Sequence, residues 1–161
     1  MKKMENKPYK KMIGTGSAVL AVAAVAVLGF LFTDTQTKWY HALAKPAFQP
    51  PDMAFPIVWT LVYVLIAVSL VRLLTLDGTV KKSIWILYGA GGLLNVLWTF
   101  AFFQMQQPVL AFAILLALVI ETVILLRAVA QKDALCGWCL VPYLIWLVFA
   151  NILNYVIIMI N

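Results

Sequence analysis

Charged residues punctuate an otherwise apolar chain. No Asp, Glu, Lys or Arg occurs from Met12 to Thr33, from Met53 to Val71, from Ser83 to Ile120 or from Ala134 to Asn161. A helix needs ~20 apolar residues to cross the hydrocarbon core of a bilayer, so each of the first two stretches supplies one span. The third is long enough for two. Gln104, Gln106, Gln107 and Pro108 divide it, a polar cluster followed by a residue that favours the first turn of a helix. The pattern predicts spans near 12–32, 55–76, 83–104, 108–128 and 138–160. A transmembrane β-barrel would show ~10-residue segments of alternating polarity, whereas these runs are continuous. The fold class is therefore all-α: an integral membrane bundle of five transmembrane helices, forming a single domain over 1–161.

Composition removes the soluble alternatives. The chain is 65% hydrophobic and 11% charged, with a mean hydropathy of +0.98, against roughly 45–50% apolar and about 25% charged in soluble domains. A soluble domain of 161 residues could not bury this much apolar surface. The net charge of +6 does not point to nucleic acid, because the basic residues form no patch on an amphipathic fold. They sit at the span flanks instead. Lys2, Lys3, Lys7, Lys10 and Lys11 precede the first span, Arg72, Lys81 and Lys82 lie between the second and third, and Arg127 and Lys132 between the fourth and fifth. Only Lys38 and Lys45 lie on the other side, and the positive-inside rule then places the N-terminus in the cytoplasm and the C-terminus outside. The first span has 21 apolar residues and ends in Phe30-Leu31-Phe32. That exceeds the ~7–15-residue core of a cleaved signal peptide, so a retained helix is expected.

The one long connection, residues 33–54, faces outward in this reading. Loops longer than the usual ~4–6 residues are often lids or binding loops. Pro46, Pro50 and Pro51 make this one stiff. An interfacial aromatic belt accounts for Trp39 and Lys45 but not for the proline spacing. Within the spans, Trp59 and Tyr63 stand at i,i+4. Asn95, Trp98 and Phe102 share one helical face, and so do Tyr143, Trp146, Ala150 and Asn154. Trp98 and Trp146 lie away from the interfacial belt, and an intramembrane Asn needs a partner. These stripes fit either plain helix packing or a pocket for a flat, mostly apolar ligand closed by the loop.

The runs WYHALAKPAFQPP, FPIVWTLVY, NVLWTFAFF and PYLIWLVFANILN resemble the TspO/MBR family, the tryptophan-rich sensory or translocator proteins, also known as peripheral-type benzodiazepine receptors. The similarity extends from the loop through the last span, with the motifs in the family's order. It implies a bacterial member in the plasma membrane, a five-helix fold that is often dimeric, and binding of tetrapyrroles such as protoporphyrin IX and haem. Sterols and isoquinoline-type ligands are further family ligands. The resemblance places Tyr40, Pro50 and Pro51 at the lid, and Trp59, Tyr63, Asn95, Trp98, Phe102, Trp146 and Ala150 around the ligand. Some members are linked to light-dependent porphyrin breakdown, for which Trp59 and Trp146 would be the corresponding residues. An aromatic box suits a large π-face. The chain departs from the family's cholesterol motif, since Tyr155 is followed by apolar residues and Asn161 rather than by Lys or Arg.

Several residues stand apart from that picture. Glu121 is an intramembrane carboxylate, a default candidate for proton or cation handling. Its plainer reading is a protonated side chain facing the bundle, or one reaching toward Arg127. Cys136-Gly-Trp-Cys139 mimics a redox dithiol but lacks the thioredoxin-like βαβ context. On the cytoplasmic side it should stay reduced, so structural thiols are expected. The single His, His41, could meet haem iron at the mouth or simply be solvated, and no resident metal is expected. Gly89, Gly91 and Gly92, and Gly14, Gly16, Ala18 and Ala21, permit close helix approach and could serve a homodimer contact. The leading expectation is a tetrapyrrole-binding protein in porphyrin sensing or transport that requires no cofactor. The alternatives are a light- and oxygen-dependent porphyrin-degrading enzyme and a transporter coupled to Glu121.

Overall fold

A computed structural model describes residues 7–77 and 80–161. Its helices are α1 (Lys7–Phe32), the short α2 (Lys38–Ala42), α3 (Ala54–Asp77), α4 (Lys82–Thr99), α5 (Pro108–Ala130) and α6 (Ala134–Ile160). Five of them are long and apolar enough to cross a membrane, as the charge-free runs predict. Lys2 and Lys3, counted among the basic flank, lie outside the described residues.

Local chemistry explains the boundaries. Pro108 opens α5, where its missing N–H costs nothing because a first-turn amide has no helical acceptor. The carboxylate of Asp133 accepts the Cys136 N–H at 3.0 Å and caps α6, so that helix begins at Ala134 rather than near 138. Cys136 and Cys139 consequently sit buried in its opening turns as free thiols. Beyond Thr99, α4 widens into a π-helical turn, Phe100–Gln104, in which the Met105 N–H reaches the Phe100 carbonyl at 3.0 Å. Gln106 then takes a left-handed φ of 55° to turn the chain into α5.

In the bundle, α5 packs chiefly on α6 and α4, while α3 bridges α6 and α1. Small residues set the spacing. A Cβ on Gly92 would come within 2.9 Å of Val25 in α1, whereas Gly14, Gly16 and Gly89 face open space. Thus two glycines of the candidate clusters, Gly92 and Gly91 (whose Cβ would meet Glu121), work inside the protomer. At the end remote from the 33–54 loop, Arg72 donates to Asp133 from Nε at 2.7 Å and Nη2 at 2.9 Å, tying α3 to α6. This forked hydrogen bond holds the Asp133 carboxyl well below the usual carboxylate range.

Candidate ligand-binding site

The loop between α1 and α3 forms a fixed strap. Thr37 Oγ1 accepts the Tyr40 N–H at 3.1 Å and starts α2, an N-cap geometry. Helix α2 ends at once, with Leu43 extended, and Pro46 follows. The Ala44 N–H donates to Asn161 Oδ1 at 2.9 Å, and Asn161 Nδ2 donates back to the Ala44 carbonyl at 3.1 Å. The strap is therefore clamped to Asn161, the C-cap of α6. Lys45 Nζ stands 4.0 Å from the centre of the Tyr40 ring, and Phe48 meets Phe149 edge-on at 6.4 Å. Tyr40 points inward and is buried. Burial, then the nearby Asp52 carboxylate, raises its phenol pKa, while a hydrogen bond with Gln49 opposes the rise.

Beneath the strap lies a cavity of about 700 Å³ walled by α1, α3, α4, the π turn and α6. Its aromatic core is one connected cluster. Trp59 stacks on Tyr63 at 5.6 Å, tilts against Trp98 at 5.8 Å and meets Trp146 edge-to-face at 6.3 Å. Phe55 packs on Trp146 at 5.8 Å. The π turn displaces the register of α4 so that both Phe102 and Phe103 reach the wall, and Phe103 lies 5.7 Å from Tyr40. The lid-side rim is polar, with Thr35, Gln36, Gln49 and Asp52. Among the described residues, Trp98 Nε1, Trp146 Nε1 and Asn154 Oδ1 are buried at this wall without a hydrogen-bond partner. A buried polar atom left unpaired costs about 1–3 kcal/mol.

The structure gathers Tyr40, Trp59, Tyr63, Trp98, Phe102, Trp146 and Ala150 around this cavity. Pro50 and Pro51 do not line it; they stiffen the strap between Gln49 and Asp52, which do. Asn95 stands behind the wall. It accepts the Tyr63 hydroxyl at 2.7 Å and donates to the Tyr143 hydroxyl at 3.3 Å, orienting the ring that faces the cavity. His41 is exposed on α2 and is not among the lining residues. The contribution of α1, including Val22, Ala26 and Gly29, has no chemical signature in the sequence. Only the crowding of Gly29, whose Cβ would lie 3.3 Å from the Tyr63 hydroxyl, reveals why small residues stand there. Glu121 does not reach toward Arg127. It turns into the bundle against Gly91 and lines a second cavity.

The profile of the TspO/MBR family matches residues 18–160, which takes in the strap, most of the first span and all of the other four. The chain is 34% identical over 142 residues to the tryptophan-rich protein TspO of Chlorobaculum tepidum, covering 86% of this chain and 89% of that protein. It is 34% identical over 150 residues to the TspO of Archaeoglobus fulgidus, with 90% and 95% covered. With the tryptophan-rich sensory protein of Cereibacter sphaeroides it shares 33% identity over 135 residues, 84% of this chain and 83% of that one.

Proposed function

Because this chain belongs to the TspO/MBR family, we propose that it is a translocator-type membrane protein whose strapped cavity binds a tetrapyrrole, protoporphyrin IX or haem, in porphyrin sensing or transport. The observation that carries the reading is the tryptophan cluster of Trp59, Trp98 and Trp146 on the wall of a cavity of about 700 Å³. That volume lies in the range of ~300–1,000 Å³ usual for small-molecule sites. Indole faces suit a flat conjugated macrocycle, which prefers offset or edge-to-face contact. The rim amides of Gln36 and Gln49 suit the ligand's polar periphery. A rigid aromatic box requires no moving part in order to bind. In this reading the strap faces out of the cell and the N-terminus lies in the cytoplasm, as the basic flanks favour.

The test is a titration of purified protein with protoporphyrin IX, followed by tryptophan fluorescence. Saturable quenching is expected in the wild type. A Trp59→Phe/Trp146→Phe variant should bind more weakly and quench less. No quenching, or equal quenching in both proteins, would sink the proposal.

A further inference from the structure

The second cavity, about 170 Å³, lies between α1, α3, α4, α5 and α6 and is lined by Glu121. Glu121 is 7% exposed. Its Oε1 has no partner among the described residues, and its Oε2 receives only a long 3.5 Å hydrogen bond from Thr122. A Cβ on Gly91 would lie 2.7 Å from Oε2, so the absence of a side chain there makes the room that the carboxyl group occupies. A carboxylate alone in a hydrocarbon interior must take up a proton or a counter-cation. Among the described residues no Lys, Arg or His lines the cavity; besides the Glu121 carboxyl group and the Asn95 amide its walls are apolar and aromatic, including Tyr63, Trp85, Tyr88 and Tyr143.

The geometry points to a binding site for a small organic ammonium ion, with Glu121 as its counter-ion. Two observations choose this class over a metal ion. The space equals several water volumes at ~30 Å³ each, much more than a bare cation fills. One carboxylate, one amide and a few hydroxyls also fall short of the 6–8 oxygens that Ca²⁺ prefers or the octahedral set that Mg²⁺ demands, and no group of three or more acidic, His or Cys ligands occurs among the described residues. The aromatic walls instead suit an alkylammonium, whose charge is attracted to ring faces while its alkyl part packs on apolar side chains. An amine can cross hydrocarbon uncharged and take the proton of the Glu121 carboxyl. That transfer leaves an ammonium–carboxylate pair with atoms and net charge conserved. The site does not rest on the porphyrin reading: Tyr63 and Val22 line both cavities, but Glu121, which supplies the charge, lines only the second.

The experiment measures thermal unfolding of the purified protein against n-butylammonium chloride, with NaCl at matched ionic strength and n-butanol as a neutral analogue. Ligand binding to the folded state raises the midpoint in a saturable way. Such a rise is expected with butylammonium and not with either control, with an apparent affinity weakened about tenfold or more in Glu121→Gln. Gly91→Ala, which crowds the carboxyl group directly, should weaken it too, and keeps the test open where Glu121→Gln fails to fold. No saturable rise, an equal rise with butanol, or full binding in either variant would overturn the proposal. Protoporphyrin titration of Glu121→Gln, read separately, is expected to match the wild type.

Discussion

Asn95→Leu removes the amide that holds the Tyr63 ring at the cavity wall while keeping a side chain of similar bulk. Tyr63 then loses an acceptor at 2.7 Å and Tyr143 a donor at 3.3 Å. Leaving a buried polar group unpaired costs about 1–3 kcal/mol. Interhelical hydrogen bonds in membranes average nearer ~0.6, with a maximum of ~1.7 kcal/mol. The short Tyr63 bond should sit near the top of that membrane range and the long Tyr143 bond near its average, which gives a loss of roughly 1.5–2.5 kcal/mol. A double-mutant cycle with Tyr63→Phe isolates the larger share. Tyr63→Phe keeps the stack on Trp59 and removes only the hydroxyl, so Asn95→Leu should cost about 1.5 kcal/mol less in that background. Reversible unfolding in mixed micelles, with denaturing detergent as the variable, measures all four proteins. Coupling within the ~0.3–0.5 kcal/mol expected of independent sites would refute the claim that Asn95 acts through Tyr63.

Three further outcomes follow from other contacts. Gly92→Ala should destabilise the bundle because its Cβ meets the stiff side chain of Val25 at 2.9 Å, while Gly89→Ala, facing open space, should be neutral or stabilising; the same unfolding assay separates them. The Arg72 fork depresses the folded pKa of Asp133, so its stabilisation is complete above the unfolded value of ~3.9 and is lost as pH falls from there through the folded value. The midpoint difference between wild type and Asp133→Asn should therefore stay constant from about pH 8 to pH 5 and shrink in more acidic buffer. Asn161→Ala releases both hydrogen bonds to Ala44, and hydrogen exchange should accelerate in residues 43–53 but not in α4 or α5.

The spans were legible because lipid imposes a one-dimensional rule: a helix without charges for ~20 residues needs no knowledge of its neighbours. Their ends were less so. The start of α6 depends on Asp133 capping Cys136, and the same carboxylate is bound by Arg72, a partner 61 residues away. Helical spacing put Trp59, Trp98 and Trp146 on aromatic stripes but fitted packing and pocket alike; only the resemblance to a known family gathered them around one ligand. Asn95 was rightly expected to need a partner. Its place behind the wall depends on the distance between α3, α4 and α6, which periodicity does not give. The role of α1 was hidden for the opposite reason, since Val22, Ala26 and Gly29 are small and look like any membrane helix. The resemblance to a known family put Pro50 and Pro51 at the lid, where they act through the strap's backbone and not through contact with the cavity. Glu121 was flagged by its charge, but the space before it came from Gly91 on another helix.

The central claim is that the cavity under the strap is where a tetrapyrrole binds. A structure of the protein with protoporphyrin IX tests it most directly. The account predicts the macrocycle against Trp59, Trp98 and Trp146, below Tyr40, with its polar edge toward Gln36 and Gln49. A macrocycle seated on the lipid-facing surface, with the cavity unchanged, would contradict it.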